Sequence, residues 1–164
     1  MKKKINWSYP ILLLILMILI YYLSSQIGDD SDVTSGRICQ FLAHHFFTGY
    51  WDLSKDAQNR VAEGLTLIVR KGAHFSEYAL MGCLWYLWLH RIRFGMLIAF
   101  AATVLYSLTD EIHQLFVPGR TGQFKDVLID SSGGLCGILA GFVLLCVIYC
   151  IRRREIVHGG TWES

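Results

Sequence analysis

The sequence predicts an all-α protein, an integral membrane four-helix bundle with one or two extracytoplasmic interfacial helices. Three observations lead there. The 164 residues are 54% hydrophobic with a mean hydropathy of +0.41, and the apolar bulk lies in long runs, as in a membrane protein rather than a soluble core. Basic residues cluster at the ends of those runs that would share one side of a membrane. Between the last two runs stands Asp110 to Asp130, DEIHQLFVPGRTGQFKDVLID, crowded with ionisable groups. Such groups at the mouth of hydrocarbon are costly and need partners, so they mark a candidate site. The length fits one small membrane domain.

The first helix follows Lys2, Lys3 and Lys4 and carries an apolar run from Ile11 to Leu23. Pro10 stands where a first turn tolerates it. Trp7 and Tyr9 at one end, with Tyr21 and Tyr22 at the other, form interfacial belts. A cleaved signal peptide would share the basic start and the core length. LSSQIGDD offers no small-x-small cleavage site, which favours a retained N-terminal transmembrane helix over residues 1–27.

Residues 28–70 read as an extracytoplasmic loop with two amphipathic stretches. Ile38, Phe41, Leu42 and His45 recur at helical spacing, and so do Ala57, Val61, Leu65 and Ile68 after Ser54 as an N-cap. Both stretches are expected on the membrane surface or capping the bundle. His44 and His45 read as surface residues, with no carboxylate or Cys at ligand spacing.

A three-span core follows over 71–151. Its first span runs from Lys71 to His90, closed by Arg91 and Arg93; the next from Phe94 to Phe116; the last from Val127 to Ile151, before a cytoplasmic tail at 152–164. Four spans put both termini and the Arg91 loop on one side, with eight bases and two acids; the other side holds seven bases and eleven acids. The basic side is cytoplasmic, so the Asp110–Asp130 stretch faces outward from the membrane. All five cysteines except Cys39 fall inside apolar runs and are expected to be buried small hydrophobes, in neither a disulfide nor a zinc pattern.

Chemistry concentrates on three spans. Thr103, Ser107, Asp110 and Gln114 make one polar stripe, with His113 beside it, and should face the bundle interior. Asp126 and Asp130 share a face with Gly133, Gly137 and Gly141. That small-xxx-small series turns the carboxylates toward another helix. Lys71, His74 and Tyr78, with Arg70 and Glu77, give a third polar face. Converging with Arg120, these could hold a divalent metal, although HxxE and DExH match no strong metal spacing. They could instead grip an anionic head group, above all phosphate, through Arg120, Lys71 and Arg70. They could also only lock the helices, for example through Arg120 with Asp126. No metal ligand set is assigned, and the cofactor is unknown.

At these residues the chain resembles the VanZ-like family of bacterial membrane proteins. The resemblance rests on Lys71, His74, Phe75, Glu77 and Tyr78, on Asp110 to Gln114, on Pro118 to Arg120, and on Asp126, Asp130 and Gly133-Gly134. It covers about the second half of the chain. At Asp130 the family pattern often has Asn, so an Asp there adds a charge. The resemblance implies an association with low-level resistance to teicoplanin-type glycopeptide antibiotics and their lipid-tailed relatives.

Two functions of different class follow. In the favoured one, Lys71, Glu111, Gln114, Arg120, Asp126 and Asp130 bind an anionic, lipid-linked cell-wall component, or meet the antibiotic, at the outer leaflet; membrane lipid is a partner and nucleic acid is not. In the other, a membrane-embedded hydrolase or transferase uses His113 and Asp110 as an acid–base pair, with His74 and Glu77 as further catalytic groups. No Ser or Cys stands in a nucleophile setting.

Overall fold

The computed structural model describes residues 7–26 and 49–159, with positions 36, 38, 39, 41, 42 and 45 between them; side chains are described as far as 154. Lys2, Lys3, Lys4 and His44 lie outside the described residues. Among those described, every regular element is helical: α1 (Ser8–Ser24), a single 3-10 turn (Tyr50–Asp52), α2 (Lys55–Leu89), α3 (Gly95–Gln114) and α4 (Phe124–Gly159). The all-helical expectation holds.

The start of α2 is set by its sequence. Ser54 caps α2 by accepting from the Ala57 amide at 3.4 Å, which satisfies one orphan donor of the first turn. Gln58 reaches back to the Tyr50 and Leu53 carbonyls at 3.1 Å, tying the 3-10 turn to that start. From there α2 runs unbroken for 35 residues. The second amphipathic stretch and the following span are therefore one helix, and residues 70 and 71, where the loop was expected to give way to the span, lie within it. In the first stretch Ile38, Phe41, Leu42 and His45 are helical, and His45 is exposed.

Glycine governs how the helices meet. Cβ atoms at Gly82, Gly133 and Gly137 would collide with the backbones of Gly134, Phe75 and Ala79 respectively. The α2–α4 seam is thus backbone against backbone, as the small-xxx-small series predicts. Gly134 faces α3, where an added Cβ would lie 2.6 Å from the Thr103 methyl. Two apolar clusters complete the packing. One joins Leu13, Leu16 and Ile20 of α1 to Tyr78 and Met81 of α2; the other joins Tyr86 and Leu89 of α2 to Ala99 of α3 and Ile138 of α4. Tyr106 of α3 donates its hydroxyl to the Met17 carbonyl of α1 at 2.6 Å.

The outer faces are apolar, with Leu97, Leu105, Leu128, Val143 and Tyr149 among the exposed side chains. Two helices are long and apolar enough to cross a membrane, α3 and the Phe124–Arg154 part of α4; α1 is apolar but has 17 residues. All five cysteines are free thiols. Only Cys39 is buried, while Cys136, Cys146 and Cys150 are exposed, which reverses the expectation. The reason is angular: Gly133, Gly137 and Gly141 occupy the packed face of α4, leaving these cysteines on the outer face.

Candidate functional site

The site lies where α1 ends, α2 is at mid-length, and α3 turns into α4. The α3 stripe faces inward as its spacing predicts: Thr103, Ser107, Asp110 and Gln114 are all buried. Ser107 Oγ donates to Asp130 Oδ2 at 2.8 Å. Gln114 Nε2 donates to Ser24 Oγ at 2.9 Å and to Asp110 Oδ2 at 3.4 Å. Glu111 joins the interior too, accepting the Gln123 amide at 2.8 Å. A carboxylate just ahead of α4 suits the positive end of that helix. Its second oxygen, Oε1, is buried with no hydrogen-bond partner.

Between α3 and α4 the chain returns through a tight turn at Pro118-Gly119. Gly119 takes φ 76°, a left-handed conformation that glycine adopts without steric penalty. Gly122 has no room for a Cβ against the Glu111 carbonyl and Leu115. This turn delivers Arg120 to α1, and α4 starts at Phe124 with Asp126 in its first turn.

From α4, Asp126 and Asp130 both face α2, as their alignment with the glycines predicts. Lys71 Nζ donates to Asp126 Oδ1 at 2.7 Å in a half-exposed pair. One turn deeper, Asp130 is fully buried, and its Oδ1 lies 3.8 Å from His74 Nδ1. Neither atom has a hydrogen-bond partner, and both are cut off from solvent. The Tyr78 hydroxyl is also buried and unbonded, close to the Asp110 carboxylate. A polar network left partly unsatisfied in a low dielectric is costly.

His74 borders two small cavities. One, of about 160 Å³, is shared with Arg70, Glu77 and Arg120, against an apolar wall that includes Ile20 and Leu23 of α1. The other, of about 130 Å³, is shared with Arg70, Lys71, Gln114, Gln123 and Asp126. His74 thus lines both cavities while its Nδ1 is enclosed beside Asp130. Among the described residues no group of three His, Cys, Asp or Glu side chains is placed to hold a metal ion.

Two expected pairings are replaced. Arg120 reaches α1 rather than Asp126, Nε donating to the Gln26 carbonyl at 3.2 Å and Nη2 to the Leu23 carbonyl at 3.4 Å, while it also lines the cavity beside His74. It satisfies acceptors that a helix C-terminus leaves open, and Lys71 takes Asp126. His113, expected to pair with Asp110, sits 3.1 Å by Nε2 from Ser25 Oγ and stacks on Tyr21 with ring centroids 4.6 Å apart. Lys71, His74, Glu77, Gln114, Arg120 and Asp126 thus line the cavities, Asp110, Glu111 and Asp130 are buried without lining either, and His113, Gln114 and Arg120 also fasten α1 to the rim. Ser24, Ser25 and Gln26 are the partners that the sequence reading missed. Their signal was a run of small polar residues closing an otherwise apolar helix.

The sequence model of the VanZ/LLP1 family matches residues 9–149, and the chain belongs to that family. Neither a curated protein nor a solved structure matches it. Family membership and the two long apolar helices together point to a membrane protein.

Proposed function

We propose that this VanZ/LLP1 member crosses a bacterial plasma membrane with all four helices, keeps both termini in the cytoplasm, and binds an anionic lipid-linked envelope component in its outward cleft. The observation that carries the reading is the sharing of one cavity by Arg70, His74 and Arg120 with an apolar wall from α1. A phosphate would meet the cations while its lipid tail followed the wall. Glu77 on the same cavity suits hydroxyl or amide donors on a head group. Charge supports the orientation, since basic residues favour the cytoplasmic side. At 17 residues α1 is about 26 Å long, short of a ~30 Å core, and its terminal aromatics would anchor it. At 35 residues α2 is about 52 Å long, so its amphipathic N-terminal half stands beyond the bilayer. Sequestering such a component at the outer leaflet would alter the action of teicoplanin-type glycopeptides on the cell.

The test is native mass spectrometry of protein in mild detergent with a lipid-linked cell-wall precursor. Wild type should carry an intact precursor, and Arg70→Gln should lose it. Susceptibility to teicoplanin should rise in cells expressing that variant. An adduct that survives both Arg70→Gln and Arg120→Gln would dismiss the cleft as the binding site.

A second reading, a hydrolase or transferase acting on the same lipid phosphate, is favoured by one observation: His74 Nδ1 and Asp130 Oδ1 face each other unpartnered at 3.8 Å. Asp130, held by Ser107, would orient the ring so that Nε2 accepts a proton in the cavity, the arrangement of a general base and its supporting carboxylate. This moves the acid–base role from His113 to His74. Conversion of the precursor should then stop in His74→Gln and persist in His113→Gln; the opposite pattern would reject the dyad.

A further inference from the structure

Further along α2 and α4, away from the polar cleft, the two helices part around a groove of about 500 Å³. Tyr86 on one side and Phe142 and Cys146 on the other give it an apolar wall. Arg91, Arg152 and His90 also line it, with no carboxylate among the described lining residues. Arg91 Nε donates to His90 Nε2 at 3.2 Å, so its observed partner is another base. The contacts between a base and a carboxylate among the described residues, Lys71 with Asp126 and His74 with Asp130, both belong to the cleft. This groove is therefore a basic mouth over an apolar slot, with no acid among the described residues that line it.

Such a combination selects an anion that carries hydrocarbon. Guanidinium groups match phosphate oxygens in a planar fork, and basic pockets between membrane helices recruit anionic head groups. A second copy of the chain suits the groove poorly, because a two-fold contact would bring the same arginines face to face. We propose that the groove binds an anionic phospholipid of the bilayer, its phosphodiester between Arg91 and Arg152 and an acyl chain against Phe142 and Cys146. The site is separate from the cleft and does not rest on what the cleft binds. In the proposed topology it opens to the inner leaflet, where the clustered arginines would also hold the bundle's orientation.

The test titrates the protein in mild detergent with phosphatidylglycerol and, separately, with phosphatidylcholine of the same chains, counting bound lipid by native mass spectrometry. Wild type should bind the anionic lipid more tightly. Arg91→Gln with Arg152→Gln should weaken it about thirtyfold and leave the zwitterionic lipid unchanged. All the arginines concerned are exposed, so folding should not suffer. Arg153→Gln with Arg154→Gln removes the same charge from residues that do not line the groove and should leave binding near wild type. Cys146→Trp, which fills the slot and keeps every arginine, should block it. Equal binding of the two lipids would overturn the proposal. So would equal weakening by the two arginine pairs, unchanged binding in Cys146→Trp, or a protein dimer in place of the lipid adduct.

Discussion

The seam between α2 and α4 joins its helices in two different ways. Along Gly82, Gly133 and Gly137 the backbones touch, with no space for a single added carbon. Toward the start of α4 the same helices meet through side chains, Lys71 with Asp126 and His74 with Asp130. The glycine part works by shape, and shape fixes how each helix is turned about its axis. Asp130 therefore faces His74 because Gly133 and Gly137 leave α4 no other rotation, and not because the pair is strong. A carboxylate presented in this way can keep an unsatisfied oxygen in the fold, which a carboxylate chosen for stability would not.

The sharpest way to break that comparison is Gly137→Val. A side chain there meets the Ala79 backbone, which cannot rotate away, and the expected destabilisation exceeds ~3 kcal/mol. Unfolding in detergent would report it. Gly141→Ala is the matched control: its new Cβ meets the Tyr86 ring edge at 3.1 Å, so a small ring movement should limit the effect. If both variants were as stable as wild type, shape would not be what holds the seam.

Next in size is Asp130→Ala. It deprives the Ser107 hydroxyl of its acceptor at 2.8 Å and leaves His74 Nδ1 facing nothing polar. An orphaned buried donor costs about 1–3 kcal/mol. Asp130→Asn keeps an oxygen for Ser107 and should recover most of the stability, yet it would not recover turnover if His74 is the base. Full stability in both variants would mean that the buried carboxylate does not participate in the network.

The sequence showed the parts of this site that depend on helix periodicity. The Thr103-to-Gln114 stripe, the Asp126–Asp130 face and the glycine series each follow from residue spacing on a single helix, and each is placed accordingly. Pairings between helices were harder. Arg120 is near Asp126 in sequence, whereas Lys71 is 55 positions away, and only the start of α4 at Phe124 decides between them. His113 is one turn from Asp110, but Tyr21 offers its ring a stacking surface on another helix. At residues 70 and 71 a loop was expected to give way to a span, and the structure carries one helix through both positions, because helix continuity depends on backbone hydrogen bonds that a basic pair does not interrupt.

Arg120→Met should be milder than either core change. The Leu23 and Gln26 carbonyls that it frees stand at the end of α1, where water can replace the guanidinium, so about 0.5–1.5 kcal/mol is expected. The clearer readout is local. Amide exchange and proteolysis should quicken over residues 23–26 and stay unchanged along the glycine seam. A uniform increase would mean that Arg120 supports the whole bundle.

The smallest effect tests the comparison from its polar side. Lys71 and Asp126 are 38% and 25% exposed, so water and salt screen their attraction. Lys71→Met should cost no more than ~1 kcal/mol. The difference from wild type should shrink further at about 1 M salt, where the screening length falls to ~3 Å. Gly137→Val should keep its full effect at every salt concentration, because a steric overlap has no charge to screen. A Lys71→Met loss as large as that of Gly137→Val would reverse the assignment: the ion pair would then set the rotation of α4, and the glycines would fit around it.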